Sequence, residues 1–238
     1  MRTVLKSLIL SLSKDEALSR RYGMNPACFK RILGLTGAFL LLAAPAFAAP
    51  ITILAMGSSL TQGYGLPPGT ELTALLQAKL KAAGVNAVVV NAGVSGDTSA
   101  GGLSRLDWSL AGHPDAAIVE LGSNDALRGI QPAETEKNLS AILAKLKAAH
   151  VPALLCGMKA PRNLGPDYAA AFDPIYPRLA AKFGVLLYPF ILDGVAMNPK
   201  LNQADGMHPN AAGEKVIAEK MFPYVLKLVA RVRAEGRN

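Results

Sequence analysis

The chain has 238 residues, 51% of them hydrophobic, and a formal net charge of +8. Residues 1–48 hold seven of the 25 Lys and Arg and two of the 17 Asp and Glu, so residues 49–238 carry 18 basic and 15 acidic side chains, only +3. That balance gives no support to a nucleic-acid partner, and the remaining length suits one domain with a real core.

The first 48 residues read as a leader. Lys30-Arg31 precede an apolar run from Ile32 to Ala44, and Pro45-Ala46-Phe47-Ala48 follows. A basic segment, an apolar segment and an A-x-A site make a secretory signal, cleaved after Ala48. The apolar run is short for a membrane span and meets small residues, not a stop-transfer cluster. A retained anchor is the alternative. Asp15 and Glu16 are unusual ahead of such a segment, so Met24 fits better as the start. The expected product is periplasmic or secreted, with no stable membrane span in the domain formed by residues 49–238. Cys28 leaves with the leader and Cys156 stays alone, so no intramolecular disulfide can form. No Cys/His cluster has metal-ligand spacing, and no metal is expected.

Ile51 to Met56 is a β-branched and apolar run that reads as a buried strand. It stops at Gly57-Ser58-Ser59, a turn in which glycine removes the Cβ clash. A serine there lies at the carboxyl edge of a sheet, where open α/β folds place ligands; most strand-Gly-Ser turns, though, are only turns. Leu72, Leu75, Leu76 and Leu80 repeat at helical spacing up to Gly84. Ala87 to Val90 predicts a second buried strand, ending in the turn-forming Asn91-Ala-Gly-Val-Ser-Gly-Asp-Thr98. A short helix fits Ala100 to Leu110, and a third strand Ala116 to Leu121, followed by Gly122-Ser-Asn-Asp125. Pro132 opens a helix with Leu139, Ile142, Leu143 and Leu146 on one face. Pro152 to Met158 is a fourth strand. A helix covers Tyr168 to Phe183, with Pro174 and Pro177 leaving its middle open. Val185 to Tyr188 is a fifth strand. Asn210 caps a last helix reaching Val232. Alternation of strands and helices predicts an α/β fold with a parallel sheet and helices on both faces.

Strand order restricts the chemistry. His113 and His150 come just before the third and fourth strands, at the amino edge of a parallel sheet. Only His208 follows a strand, on the carboxyl side with Ser59. If a histidine activates a serine, it is His208, and Asp205 is close enough to hold its other ring nitrogen. Taken alone, Asp205 and His208 also suit a capped loop before a helix. Gly96 leaves a backbone N–H open to close approach, Asn124 offers a side-chain amide, and the Ser59 N–H is a third donor for an oxyanion; Asn124 alone reads equally as a turn residue. The G-x-S-x-G elbow is absent around Ser59.

Gly57-Ser-Ser-Leu60, Gly96 in Ser-Gly-Asp-Thr, Gly122-Ser-Asn-Asp125 and Asp205-Gly-Met-His208 resemble, in order, the four blocks of the SGNH (GDSL) hydrolases. Glu120 to Pro132 and Phe172 to Arg178 look like the bacterial multifunctional thioesterase/lysophospholipase/arylesterase branch, and the likeness covers essentially all of residues 51–230. The resemblance implies a three-layer α/β/α sandwich with five parallel strands in flavodoxin-like order. It implies Ser59 as nucleophile, His208 as base, Asp205 as its orienter, and Ser59, Gly96 and Asn124 as the oxyanion hole. One position departs from the pattern: Ser58 stands where the family usually has aspartate. The expected partner is a small acyl ester or thioester, with no cofactor, and the expected state a monomer. Leu127 and Ile130 in one loop, and Pro161 and Leu164 in another, are expected to wall an acyl groove. Two rival expectations are a carbohydrate O-deacetylase of the same family and a binding protein that has lost turnover. The first loop lacks the pattern of a phosphate cradle, against a flavodoxin-like cofactor binder.

Overall fold

Apolar residues that alternate across both faces of a strand need a layer above and a layer below. The computed structural model, which describes residues 49–236, supplies both. The leader, its cleavage after Ala48 and the alternative start at Met24 lie outside the described residues. Strands β1 (Ile51–Gly57), β2 (Ala87–Gly93), β3 (Ala116–Glu120), β4 (Ala153–Cys156) and β5 (Leu186–Tyr188) form one parallel sheet in the order β2-β1-β3-β4-β5. That is the flavodoxin-like order.

The helices are α1 (Ser59–Gln62), α2 (Leu72–Ala82), α3 (Ser99–Leu110), α4 (Ser123–Leu127), α5 (Pro132–Ala148), α6 (Pro166–Phe172), α7 (Ile175–Phe183) and α8 (Ala211–Ala234). Helices α2 and α8 pack together against one face; on the other, α5 packs against α3, α6 and α7. Ile53, Val119, Leu154 and Leu155 between these layers are fully buried. Among the described residues no helix is long and apolar enough to cross a membrane.

Four expectations change. The second strand runs on to Gly93, because Asn91, Ala92 and Gly93 stay in register with Ala55, Met56 and Gly57. It is also not a buried strand: it lies at the sheet edge, and Val88 and Val90 are exposed. Its apolar run reads like an interior strand because sequence does not reveal which strand is the edge. The expected helix over Tyr168–Phe183 is two helices, broken at Asp173-Pro174. Pro174 caps the second, and Pro177 falls in its first turn, where an N–H has no helical partner in any case. The fourth strand is shorter than expected; Pro152 has no N–H for the ladder, although its carbonyl accepts from Ala117 N–H at 3.0 Å.

Helix α8 starts as expected: Asn210 Oδ1 accepts from the N–H groups of Ala212 and Gly213 at 3.0 and 3.1 Å. Its first turn also sends Glu214 inward, 1% exposed, with Oε2 lacking a partner. Burial, then the nearby Glu120 and Glu71 carboxyls, push the Glu214 carboxyl up to about 8. A carboxyl that holds its proton longer when folded makes the native state less stable as pH rises. The loss begins above the ordinary value near 4.5 and ends near 8. Glu214→Gln keeps the neutral shape and cannot ionise. Its melting temperature is expected to match wild type near pH 4 and exceed it by several degrees at pH 8, the gap growing by up to ~1.4 kcal/mol per pH unit within that window. A constant gap across pH, read by thermal melts, would put the effect in packing.

Candidate active site

All the loops that matter leave the carboxyl edge of the sheet. Strand β1 ends at Gly57, where a Cβ would collide with Thr61 Oγ1 and with Glu120 Oε2. Only glycine lets the chain turn there into α1. Ser59 is the first residue of that helix, so its N–H has no carbonyl four residues back within the helix. Its side chain is 8% exposed.

His208 arrives from the loop before α8. Its Nε2 lies 2.9 Å from Ser59 Oγ, and its Nδ1 lies 2.6 Å from Asp205 Oδ2. Asp205 Oδ1 accepts from the N–H groups of Met207 and His208 at 2.9 and 3.0 Å. The His208 N–H and Nδ1, then the Met207 N–H, hold the Asp205 carboxyl down to about 2. Asp205 is therefore charged throughout the neutral range and fixes the imidazole with its Nδ1 as donor. The structure thus brings Ser59, His208 and Asp205 together in one line of hydrogen bonds. His113 and His150 precede β3 and β4, at the opposite edge.

Asn124, in the first turn of α4, donates through Nδ2 to Asp97 O at 2.9 Å. One amide hydrogen is thereby engaged, and the second is left for another acceptor. Gly96 has φ +82°, a conformation that favours glycine, and its carbonyl accepts from Arg128 Nη2 at 2.8 Å. Arg105 ties the same loop to the Gly57-Ser58-Ser59 turn: Nε donates to Asp97 Oδ2 at 2.6 Å and Nη2 to Gly57 O at 3.0 Å. Gly96 and Asn124 thus flank one braced turn beside β1.

Glu120 is the residue that sequence reasoning missed. It ends β3, 2% exposed, and points under the Ser58-Ser59 turn. Its carboxylate accepts from Ser58 N–H at 2.9 Å, Ser58 Oγ at 3.1 Å and Thr61 Oγ1 at 2.9 Å. Burial pushes its carboxyl up against those donors, which pull it down. Ser58 gives this buried carboxyl group a hydroxyl donor. The available signal was a lone acidic residue closing a strand that is otherwise apolar and wholly buried.

The four residues expected to wall an acyl groove are more dispersed. Leu127 is 53% exposed at the end of α4, and Ile130 is half-buried, its carbonyl accepting from Tyr168 Oη at 2.7 Å. Pro161 and Leu164 are half-buried at a short 3₁₀ turn, Arg162–Leu164, which leads into α6. The Tyr168 bond links α6 to the first loop, so the two segments are neighbours. A separate depression lies under Arg162, Gly165, Pro166, Ala169 and Asp173, and none of the triad or the four groove residues lines it. Among the described residues, no group of three or more His, Cys, Asp or Glu side chains is placed to hold a metal ion.

Residues 55–216 match the model of the GDSL-like lipase/acylhydrolase family. The chain is 40% identical over 200 residues to esterase TesA of Pseudomonas aeruginosa, covering 84% of this chain and 100% of that protein. It is 43% identical over 192 residues to thioesterase 1/protease 1/lysophospholipase L1 of Escherichia coli, covering 80% of this chain and 91% of that one. Among solved structures, AlinE4, described as an SGNH-hydrolase family esterase, shares 46% identity and a TM-score of 0.65 over 76% of this chain and 98% of its own. With its fold, its four sequence blocks and these relatives in agreement, the chain belongs to the GDSL-like lipase/acylhydrolase family.

Proposed function

We propose that this chain is an exported serine esterase that hydrolyses acyl esters or thioesters through an acyl-enzyme on Ser59. The observation that carries the reading is the 2.9 Å contact between Ser59 Oγ and His208 Nε2, continued at 2.6 Å from Nδ1 to Asp205. An ordinary serine hydroxyl is a poor nucleophile at neutral pH; a hydrogen-bonded neutral imidazole removes its proton as Oγ attacks the carbonyl carbon. The carbonyl oxygen becomes an oxyanion, met by the Ser59 N–H, the Gly96 N–H and the free Asn124 hydrogen. As the C–O or C–S bond breaks, Nε2 returns the proton to the departing oxygen or sulfur. Water then attacks the acyl-enzyme with His208 again as base, and the acid leaves.

Export rests on the sequence of residues 30–48. The secreted protein would begin at Ala49, which intact mass checks.

Leu127, Ile130, Pro161 and Leu164 are proposed to carry the acyl chain. Support comes from the exposure of Leu127, at the end of the Asn124 helix, and from the Tyr168 bond that draws the second loop towards the first. Each methylene buried there is worth up to about 0.8 kcal/mol, or about fourfold in rate. Across a series of p-nitrophenyl esters, kcat/KM is expected to rise with acyl length until the groove ends. Leu127→Ser and Leu164→Ser are expected to flatten that rise while keeping acetate hydrolysis. Loss of thermal stability with unchanged length preference would make them packing residues. A wild-type rate highest for acetyl esters and falling steadily with length would favour a carbohydrate O-deacetylase.

A further inference from the structure

Tyr64 follows the nucleophile helix and is tied to both ends of the Ser59–His208 pair. Its N–H donates to Ser59 O at 3.0 Å. Its carbonyl accepts from Gln203 Nε2 at 2.7 Å, and the same nitrogen donates to Pro209 O at 2.9 Å. The Gln203 backbone N–H donates to His208 O at 2.7 Å. A continuous brace thus runs from the nucleophile through Tyr64 and Gln203 to the base. The Tyr64 ring lies against the imidazole, centroids 4.9 Å apart and planes tilted by 43°, and the residue as a whole is 52% exposed. Among the described residues the other widely exposed large aromatic, Trp108, sits near the end of α3, towards the amino edge of the sheet, away from this site.

We propose that the Tyr64 ring is the platform for the leaving group, a specificity-determining residue that favours esters of flat aromatic alcohols over alkyl esters of the same acid. The inference rests on the serine-esterase reading and adds to it the side of the substrate that the acyl groove does not touch. Its logic is directional. His208 Nε2 must hand its proton to the departing oxygen, so the leaving group lies beside the imidazole. The carbonyl oxygen is turned the other way, towards the Gly96 and Asn124 loops. The leaving group therefore meets whatever flanks the imidazole, and Tyr64 offers an open aromatic surface there. Ring pairs attract when their centroids lie within about 4.5–7 Å, and the braced backbone means that this surface need not be ordered at binding.

The test compares phenyl acetate with ethyl acetate. Both give the same acetyl-enzyme, so differences in kcat/KM arise in binding and acylation, while the leaving group is still present. The phenyl-to-ethyl ratio of kcat/KM is independent of the fraction of active protein. It is expected to fall about three- to tenfold in Tyr64→Ala, the size of one aromatic contact, and to hold in Tyr64→Phe. Equal losses for both esters would overturn the proposal and leave the ring as a support for His208. An unmoved ratio in Tyr64→Ala, with wild type active on both esters, would also overturn it. A fall in Tyr64→Phe as large as in Tyr64→Ala would move the role from the ring to the hydroxyl. A wild-type protein inert towards both esters would overturn the esterase reading itself, and this inference with it.

Discussion

Ser59→Ala is expected to abolish turnover, a loss on the order of 10⁶-fold in kcat, while Ser58→Ala keeps most of it. The two hydroxyls sit side by side in sequence but in different surroundings. Ser59 Oγ faces an imidazole nitrogen at 2.9 Å, whereas Ser58 is fully buried and turned to Glu120. No neighbour can replace a nucleophile. Losing the Ser58 hydroxyl removes one of the donors to Glu120; the Ser58 N–H and Thr61 Oγ1 still hold the carboxylate, so the cost is about 1 kcal/mol of stability. A fluorophosphonate probe read by peptide mass should label Ser59. Label on Ser58 would mean that the wrong serine has been assigned.

Asp205→Asn is expected to leave the fold intact and to lower kcat/KM by roughly 10²–10⁴-fold. The asparagine oxygen can keep the two backbone N–H bonds now made by Oδ1. Its amide then faces His208 Nδ1 as a donor, so Nδ1 must accept and the proton moves to Nε2. An imidazole with its proton on Nε2 cannot take one from Ser59. In wild type, Asp205 is held at about 2 and remains charged above about pH 4, so it adds no second limb to the pH profile in the neutral range. The hold of Asp205 on the His208 loop is kept above about pH 4 and lost as pH falls towards 2. An unchanged rate in Asp205→Asn would remove Asp205 from the mechanism.

Much of this was legible in the chain. Strand runs such as Ile51–Met56 and Ala116–Leu121 have lengths and compositions that admit little else, and the topology of a parallel sheet then sorted three histidines by edge. The candidate site was legible because its groups sit on the turns that directly follow strands, or just ahead of a capped helix. The bracing was not. Nothing near Glu120 says that it meets a turn 62 residues earlier, and nothing near Gln203 points to Tyr64, 139 residues away. Such contacts depend on strand order and loop course, which no local pattern encodes. The exposure of Val88 and Val90 escaped for the same reason. The break at Asp173-Pro174 was signalled by its proline, but a proline within a helical pattern can kink a helix or end it.

The serine and its base are 149 residues apart in sequence. Strands β2 to β5 lie between them, and the histidine is delivered only by the segment that leads into the last helix. A contact of that span is entropically demanding to close and forms slowly when a chain folds. During synthesis, the nucleophile turn emerges long before its partner exists. Until that segment arrives, Ser59 has no imidazole to take its proton. Hydrolytic competence becomes a property of the completed fold, switched on when helix α8 docks and brings its preceding loop to the sheet edge.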